Sequence, residues 1–133
     1  MEVKQAKDEA NAKQLQLMLE TLKQAASVSV VEGKHDLAAL ADFAISAISC
    51  PQLFADGMRL KGKTLYLLMD LDRGGEEKGM KVEAFIQERH PGARMNRTLG
   101  PRMLKLLGIR SVEQMRKPTA ELLEKGKKNK KNW

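Results

Sequence analysis

The sequence predicts an α/β sandwich with a mostly parallel central sheet flanked by helices. Three observations carry the prediction. Strand-like apolar segments alternate with segments of helical period along the chain. The run Thr64-Leu65-Tyr66-Leu67-Leu68-Met69 is apolar along its length, as a central strand covered on both faces must be. Two of these runs end in carboxylates, Glu32 and Asp70, and ligands of parallel sheets bind at the carboxyl ends of the strands.

Residues 3–26 lack Gly and Pro and place Leu15, Met18, Leu19 and Leu22 at helical spacing, so 1–26 read as an N-terminal amphipathic helix packed on the domain. The same stripe could instead join two copies as a homodimer, although it is short for a coiled coil. The β-branched run Val28-Ser29-Val30-Val31 then reads as a strand ending at Glu32-Gly33, with Asp36 as cap of a helix that buries Leu37, Leu40 and Ala41. Residues 46–63 are the least legible: a short strand near Ile48, a break at Pro51, and turns at Asp56-Gly57 and Lys61-Gly62-Lys63, with the pairing left open. After Asp70, a loop holding Gly74-Gly75 leads into a helix from about Glu76 to Arg89, with Met80, Val82, Phe85 and Ile86 as its buried side. Ala93-Arg94-Met95 is a further short strand. Thr98 is positioned to cap a helix carrying Met103, Leu104, Leu106 and Leu107 that stops at Gly108. Ser111 is a second capping candidate, and Ala120-Glu121-Leu122-Leu123 a turn beyond Pro118. Residues 125–133, with five Lys among nine, read as a basic disordered tail.

The length of 133 residues suits one ordinary domain with tails, and 42% hydrophobic with 31% charged residues is a globular balance. Charge is distributed unevenly. Residues 1–88 hold 11 basic and 14 acidic side chains, a net of −3, whereas 89–133 hold 13 and 3, a net of +10. A basic half following acidic motifs fits a polyanion partner, and with aromatics at only 4% the grip is expected on phosphates rather than stacked bases. Cys50 is the single cysteine, which excludes an intrachain disulfide and a cysteine-based zinc site. With no apolar signal core and no uninterrupted apolar stretch of membrane length, a cytoplasmic protein with no membrane partner is expected.

Asp70 and Asp72, two apart at a strand end, can aim hard oxygen ligands into one loop cavity, the chemistry that Mg²⁺ prefers. Alone, Asp-x-Asp is a weak signal. Combined, Val28-Ser29-Val30-Val31-Glu32-Gly33-Lys34-His35-Asp36 and Leu67-Leu68-Met69-Asp70-Leu71-Asp72-Arg73-Gly74-Gly75-Glu76 resemble the two signature segments of the Toprim domain, found in topoisomerases, bacterial-type primases, rRNA-maturing ribonucleases and short stand-alone proteins. The resemblance covers roughly residues 27–110 and implies a Toprim-like domain, read as 27–124 with its C-terminal helices, a Mg²⁺ or Mn²⁺ cofactor, and binding or hydrolysis of nucleic-acid phosphodiesters. It assigns Glu32 the acid/base role and a place among the metal ligands, Asp70 and Asp72 the metal itself, and Gly33 and Gly75 the turns. Arg73 and Glu76 match the topoisomerase form of the second segment, while Gly74 stands where that form has an acidic residue.

Around this site Lys34, Arg73, Arg94, Arg97 and Arg102, with Lys105 three residues on, are candidate phosphate contacts, as are Lys127, Lys128, Lys130 and Lys131 of the tail. A topoisomerase needs a nucleophilic tyrosine, and the one tyrosine, Tyr66, lies inside the apolar strand. A primase needs a larger polymerase body. What remains is a small metal-dependent nuclease or RNA-processing activity, with a non-catalytic RNA- or DNA-binding module of a nucleoprotein complex as the alternative. A small-molecule phosphatase is disfavoured by Arg73-Gly74 after the Asp pair.

Overall fold

The parallel sheet is built where the apolar runs predict it. The structure, a computed structural model, describes residues 3–55 and 58–131, with side chains through Lys127. Strands β1 (Ser27–Val31), β2 (Ala47–Ser49), β3 (Thr64–Leu67) and β4 (Arg94–Asn96) form one all-parallel sheet in the order β2-β1-β3-β4. Helices α1 (Val3–Leu22), α2 (Lys34–Ala41), α3 (Cys50–Phe54), α4 (Arg73–Arg89), α5 (Leu99–Leu107) and α6 (Arg116–Lys131) flank it, giving the α/β sandwich expected from the sequence.

Period-2 alternation divides the sheet between two apolar layers. Val28, Val30, Leu65, Leu67 and Met69 face Leu53 of α3 and Val82 and Ile86 of α4. Val31, Tyr66 and Leu68 face Leu15, Leu19 and Leu22 of α1, Leu40 of α2, and Met103 and Leu104 of α5. Every residue of β1 is buried, Ser29 included, and the Ser29 hydroxyl has no hydrogen-bond partner among the described residues.

The strand order decides where a ligand can sit. From β1 the chain leaves through α2 on one face and turns outward to β2, whereas from β3 it leaves through α4 on the other face. The loops after β1 and β3 therefore diverge and open a crevice at the carboxyl end of the sheet, the topological switch point at which open α/β sheets hold ligands.

Several local expectations are corrected. Asp36 is the third residue of α2 rather than its cap; Gly33 is the cap, and Asp36 Oδ2 accepts the Gly33 N–H at 3.2 Å. Gly33 has an extended backbone, and a Cβ there would meet nothing within 4 Å, so that turn does not demand glycine. Pro51 is no break: it lies in the first turn of α3, which Ser49 and Gln52 cap reciprocally. Met80 is 60% exposed, because Gly75, Gly79, Val82 and Ile86 form the inner stripe of α4. Thr98 makes no side-chain cap; Asn96 Oδ1 accepts the N–H groups of Thr98 and Leu99 at 3.0 Å each. Ser111, by contrast, is the N-cap of the single 3-10 turn Val112–Gln114, as expected, and Gln114 Oε1 accepts its N–H at 3.2 Å. Gly108, with φ 69°, ends α5 as expected.

The largest difference is at the C-terminus. Beyond Pro118 the chain forms no isolated turn, and the segment read as a disordered tail continues α6 as far as Lys131. α6 packs along α1, where Gly126 approaches so closely that an added Cβ would stand 2.6 Å from the Cβ of Ala12. The Asp56-Gly57 turn, the side chains of Lys128, Lys130 and Lys131, and residues 132–133 lie outside the described residues. Among the described residues no helix is long and apolar enough to cross a membrane.

Candidate functional site

Glu32 follows the last residue of β1, and its side chain, 13% exposed, crosses the crevice toward β3. Its Oε2 accepts the backbone N–H of Asp70 at 2.7 Å, while its Oε1 pairs with Lys78 Nζ of α4 at 2.9 Å. The two acidic motifs, 38 residues apart in sequence, are thus tied directly across the switch point.

The Asp70-Leu71-Asp72 loop is fixed at each residue. Asp70 is anchored through its N–H to Glu32, Leu71 N–H donates to the Arg110 carbonyl at 2.7 Å, and Asp72 is the N-cap of α4, its Oδ1 accepting the Gly75 N–H at 2.6 Å. Gly75 is obligatory: a Cβ there would lie 2.0 Å from the Asp70 carbonyl oxygen. α4 therefore starts at Arg73, three residues before the expected Glu76, with its first turn pressed against the loop. Such a loop holds its carboxylates in place before any ligand arrives.

Crowding has an electrostatic consequence. The Asp70 carboxyl is pushed up to about 6, first by burial, then by the negative charge of Glu32, with Asp36, a side-chain hydrogen bond with Glu32, and Asp72 adding to it. Asp36 lies beneath the same site and is raised by burial, an effect partly offset by the N–H groups of Gly33 and Glu113 that it accepts. The Cys50 thiol is pushed up by burial and by Glu32, and Lys78 is raised by its hydrogen bond to Glu32.

Lys78 is the site residue that sequence reading missed. The signal was present: with Asp72 taken as N-cap, Lys78 falls three residues after Gly75 and four before Val82, on the sheet-facing side of α4. What the sequence could not give was the adjacency of β1 to β3 that brings Glu32 within reach.

Beside the Asp loop opens a cleft of about 540 Å³, lined on one wall by Asp70, Asp72, Gly75, Glu76 and Gly79 and on the other by Arg97, Pro101 and Lys105. Arg97 is held there by an ion pair with Glu83. The expected basic strip is therefore divided: Arg97 and Lys105 line the cleft, whereas Arg94 and Arg102 are exposed and do not line it. Arg73 makes an exposed pair with Glu77 at 3.5 Å, Lys34 is exposed at the start of α2, and Lys127 lines a separate groove between α1 and α6. Among the described residues no three His, Cys, Asp or Glu side chains form a ready-made metal cage.

Comparison with known proteins adds one likeness. A solved structure of a protein from Aquifex aeolicus is 29% identical in sequence, over 75% of this chain and 96% of its own, with a TM-score of 0.57. The chain is similar to that protein over most of its length. No family model and no curated protein matches the chain. The likeness supports the fold and lends no activity.

Proposed function

We propose that this chain is a Toprim-like, Mg²⁺-dependent phosphodiester hydrolase acting on nucleic acid, a small nuclease or RNA-processing enzyme working in the cytoplasm. The observation that carries the reading is the meeting of Glu32 and Asp70 at the switch point, where the Glu32 carboxylate accepts the Asp70 backbone N–H and the two carboxyl groups crowd each other.

The donor set fits the cation. Mg²⁺ is commonly held by one or two carboxylates, with waters and substrate phosphate completing its shell, so a cage of three protein ligands is not required. Glu32 and Asp70 would hold it; Asp72 commits Oδ1 to capping α4 and keeps its other oxygen for a water or the ion. The mutual repulsion that raises Asp70 is what a divalent ion relieves. When bound, the ion supplies Lewis-acid stabilisation of the charge developing on the phosphate.

The protein's own groups do the rest. Arg97 and Lys105 face the acidic wall across the cleft and suit the phosphate oxygens of a strand whose scissile bond lies over Asp70. The cleft lining has no aromatic side chain, so binding is expected to follow the backbone and discriminate little between bases. Asp70, near 6 without the ion, would give up its proton as the ion binds, so affinity for the ion is expected to fall as pH drops below about 6. Gly75 and the anchored N–H of Asp70 keep that carboxyl in place.

The test is incubation of end-labelled structured RNA and single-stranded DNA with the protein in Mg²⁺ or in EDTA. Cleavage that requires Mg²⁺ and disappears in Asp70→Asn and Glu32→Gln is the expected result. Tight binding without cleavage by folded protein refutes the hydrolase and leaves a binding module.

A further inference from the structure

Both oxygens of Glu32 are already engaged: Oε2 by the Asp70 N–H at 2.7 Å and Oε1 by Lys78 Nζ at 2.9 Å. The two partners differ in how readily they can leave. The Asp70 N–H belongs to a loop fixed by Leu71 and Asp72, so withdrawing it would undo the start of α4. Lys78 is a flexible side chain, 56% exposed, whose ammonium can move into water without disturbing the backbone. Among the described residues it is also the one cation in an ion pair with any of Glu32, Asp36, Asp70 and Asp72.

We propose that Lys78 is the resident counter-cation of this site: it neutralises Glu32 while no metal is bound, and it surrenders Glu32 Oε1 to an arriving divalent ion. This rests on the metal-site reading above and adds a regulatory feature to it. Metal binding becomes an exchange of one cation for another, so affinity for the free ion is lower than the carboxylates alone would give. The displaced ammonium is then free to take a phosphate oxygen. By linkage, a polyanion that engages Lys78 tightens metal binding, and bound metal tightens polyanion binding by the same factor. Lys78 thus acts through Glu32 while no metal is bound and on the polyanion once displaced.

The test is Mn²⁺ binding to the full chain, followed by the paramagnetic resonance signal of the free ion, with and without a phosphorothioate oligonucleotide. Lys78→Met is expected to bind Mn²⁺ about threefold to fivefold more tightly than the wild type, the scale of a half-exposed pair, and to lose most of the tightening produced by the oligonucleotide. Lys81→Met, which removes an equal charge from the exposed side of α4, is expected to change affinity by less than twofold. Lys78→Arg keeps a cation beside Glu32 and should stay near the wild type, which provides a folded comparison if the Met variant is poorly behaved. Equal affinity in Lys78→Met and the wild type, or an equal gain in Lys81→Met, overturns the inference and leaves the metal site standing. Absence of Mn²⁺ binding in all four proteins overturns the metal site and the inference with it.

Discussion

Replacing Asp70 by Asn should make the protein more stable at alkaline pH and leave it unchanged in acid. The carboxyl is raised to about 6 in the folded chain against an ordinary 3.8, so between those values the native state holds a proton that the unfolded chain has released. Stability contributed by this group therefore falls as pH rises from about 4 to about 6, and stays at its lower level above. The full difference corresponds to at most about 3 kcal/mol, and solvent in the open cleft screens it to roughly 1 kcal/mol. Asn cannot ionise and keeps a polar group beside Glu32, so in EDTA at pH 8 the variant should melt about 3–5 °C above the wild type, with the gap closing by pH 4. Circular dichroism melts at both pH values check this. A variant no more stable than the wild type at pH 8, or a gain of equal size at pH 4, would refute the argument that the carboxylates are crowded against their own stability.

Three further outcomes follow from the same geometry. Gly75→Ala drives a Cβ into the Asp70 carbonyl at 2.0 Å, so the loop or the first turn of α4 must shift; a loss of roughly 2–3 kcal/mol in urea unfolding is expected. Ser29→Ala removes a buried hydroxyl that has no partner among the described residues and should stabilise the chain by about 1 kcal/mol, read as a higher urea midpoint with an unchanged slope. Lys105→Ala should weaken oligonucleotide binding severalfold and reduce the salt slope by about one, measured by fluorescence anisotropy across a salt series, with melting temperature unaffected.

Much of the architecture was legible because the decisive segments carry redundant signals. Val28-Val30-Val31 and Leu65-Leu67-Leu68 are apolar on both faces, which only a doubly covered parallel strand explains, and each run leads into a carboxylate and then a helix. Less legible were elements whose signals depend on a neighbour. α3 is five residues long and rests on Ser49 and Gln52 exchanging caps, a pattern that Pro51 obscures when read as a breaker. On α4, apolar period pointed to Met80, but the helix sits so close to β3 that glycines at 75 and 79 take the inner stripe and Met80 turns outward. α6 is rich in lysine and contains Gly126, a composition that reads as disorder; its partner is α1, where the small Gly126 lets the two helices meet at Ala12. Glu32 and Asp70 were singled out by the resemblance of their two segments to a pair of signature segments, and the fold brings the two residues together. Lys78 and Asp36 were missed as members of the cluster because only the strand order brings them there.

The central claim is that Glu32 and Asp70 together hold a divalent cation at the switch point between β1 and β3. Crystals soaked in Mn²⁺ and measured at the metal's absorption edge address it directly. The account predicts an anomalous peak within about 2.2 Å of one oxygen of Glu32 and one of Asp70, with Lys78 withdrawn from Glu32, and no such peak in Asp70→Asn. A site that stays empty at millimolar Mn²⁺ with Lys78 still paired to Glu32, or a peak that avoids both carboxylates, would contradict it.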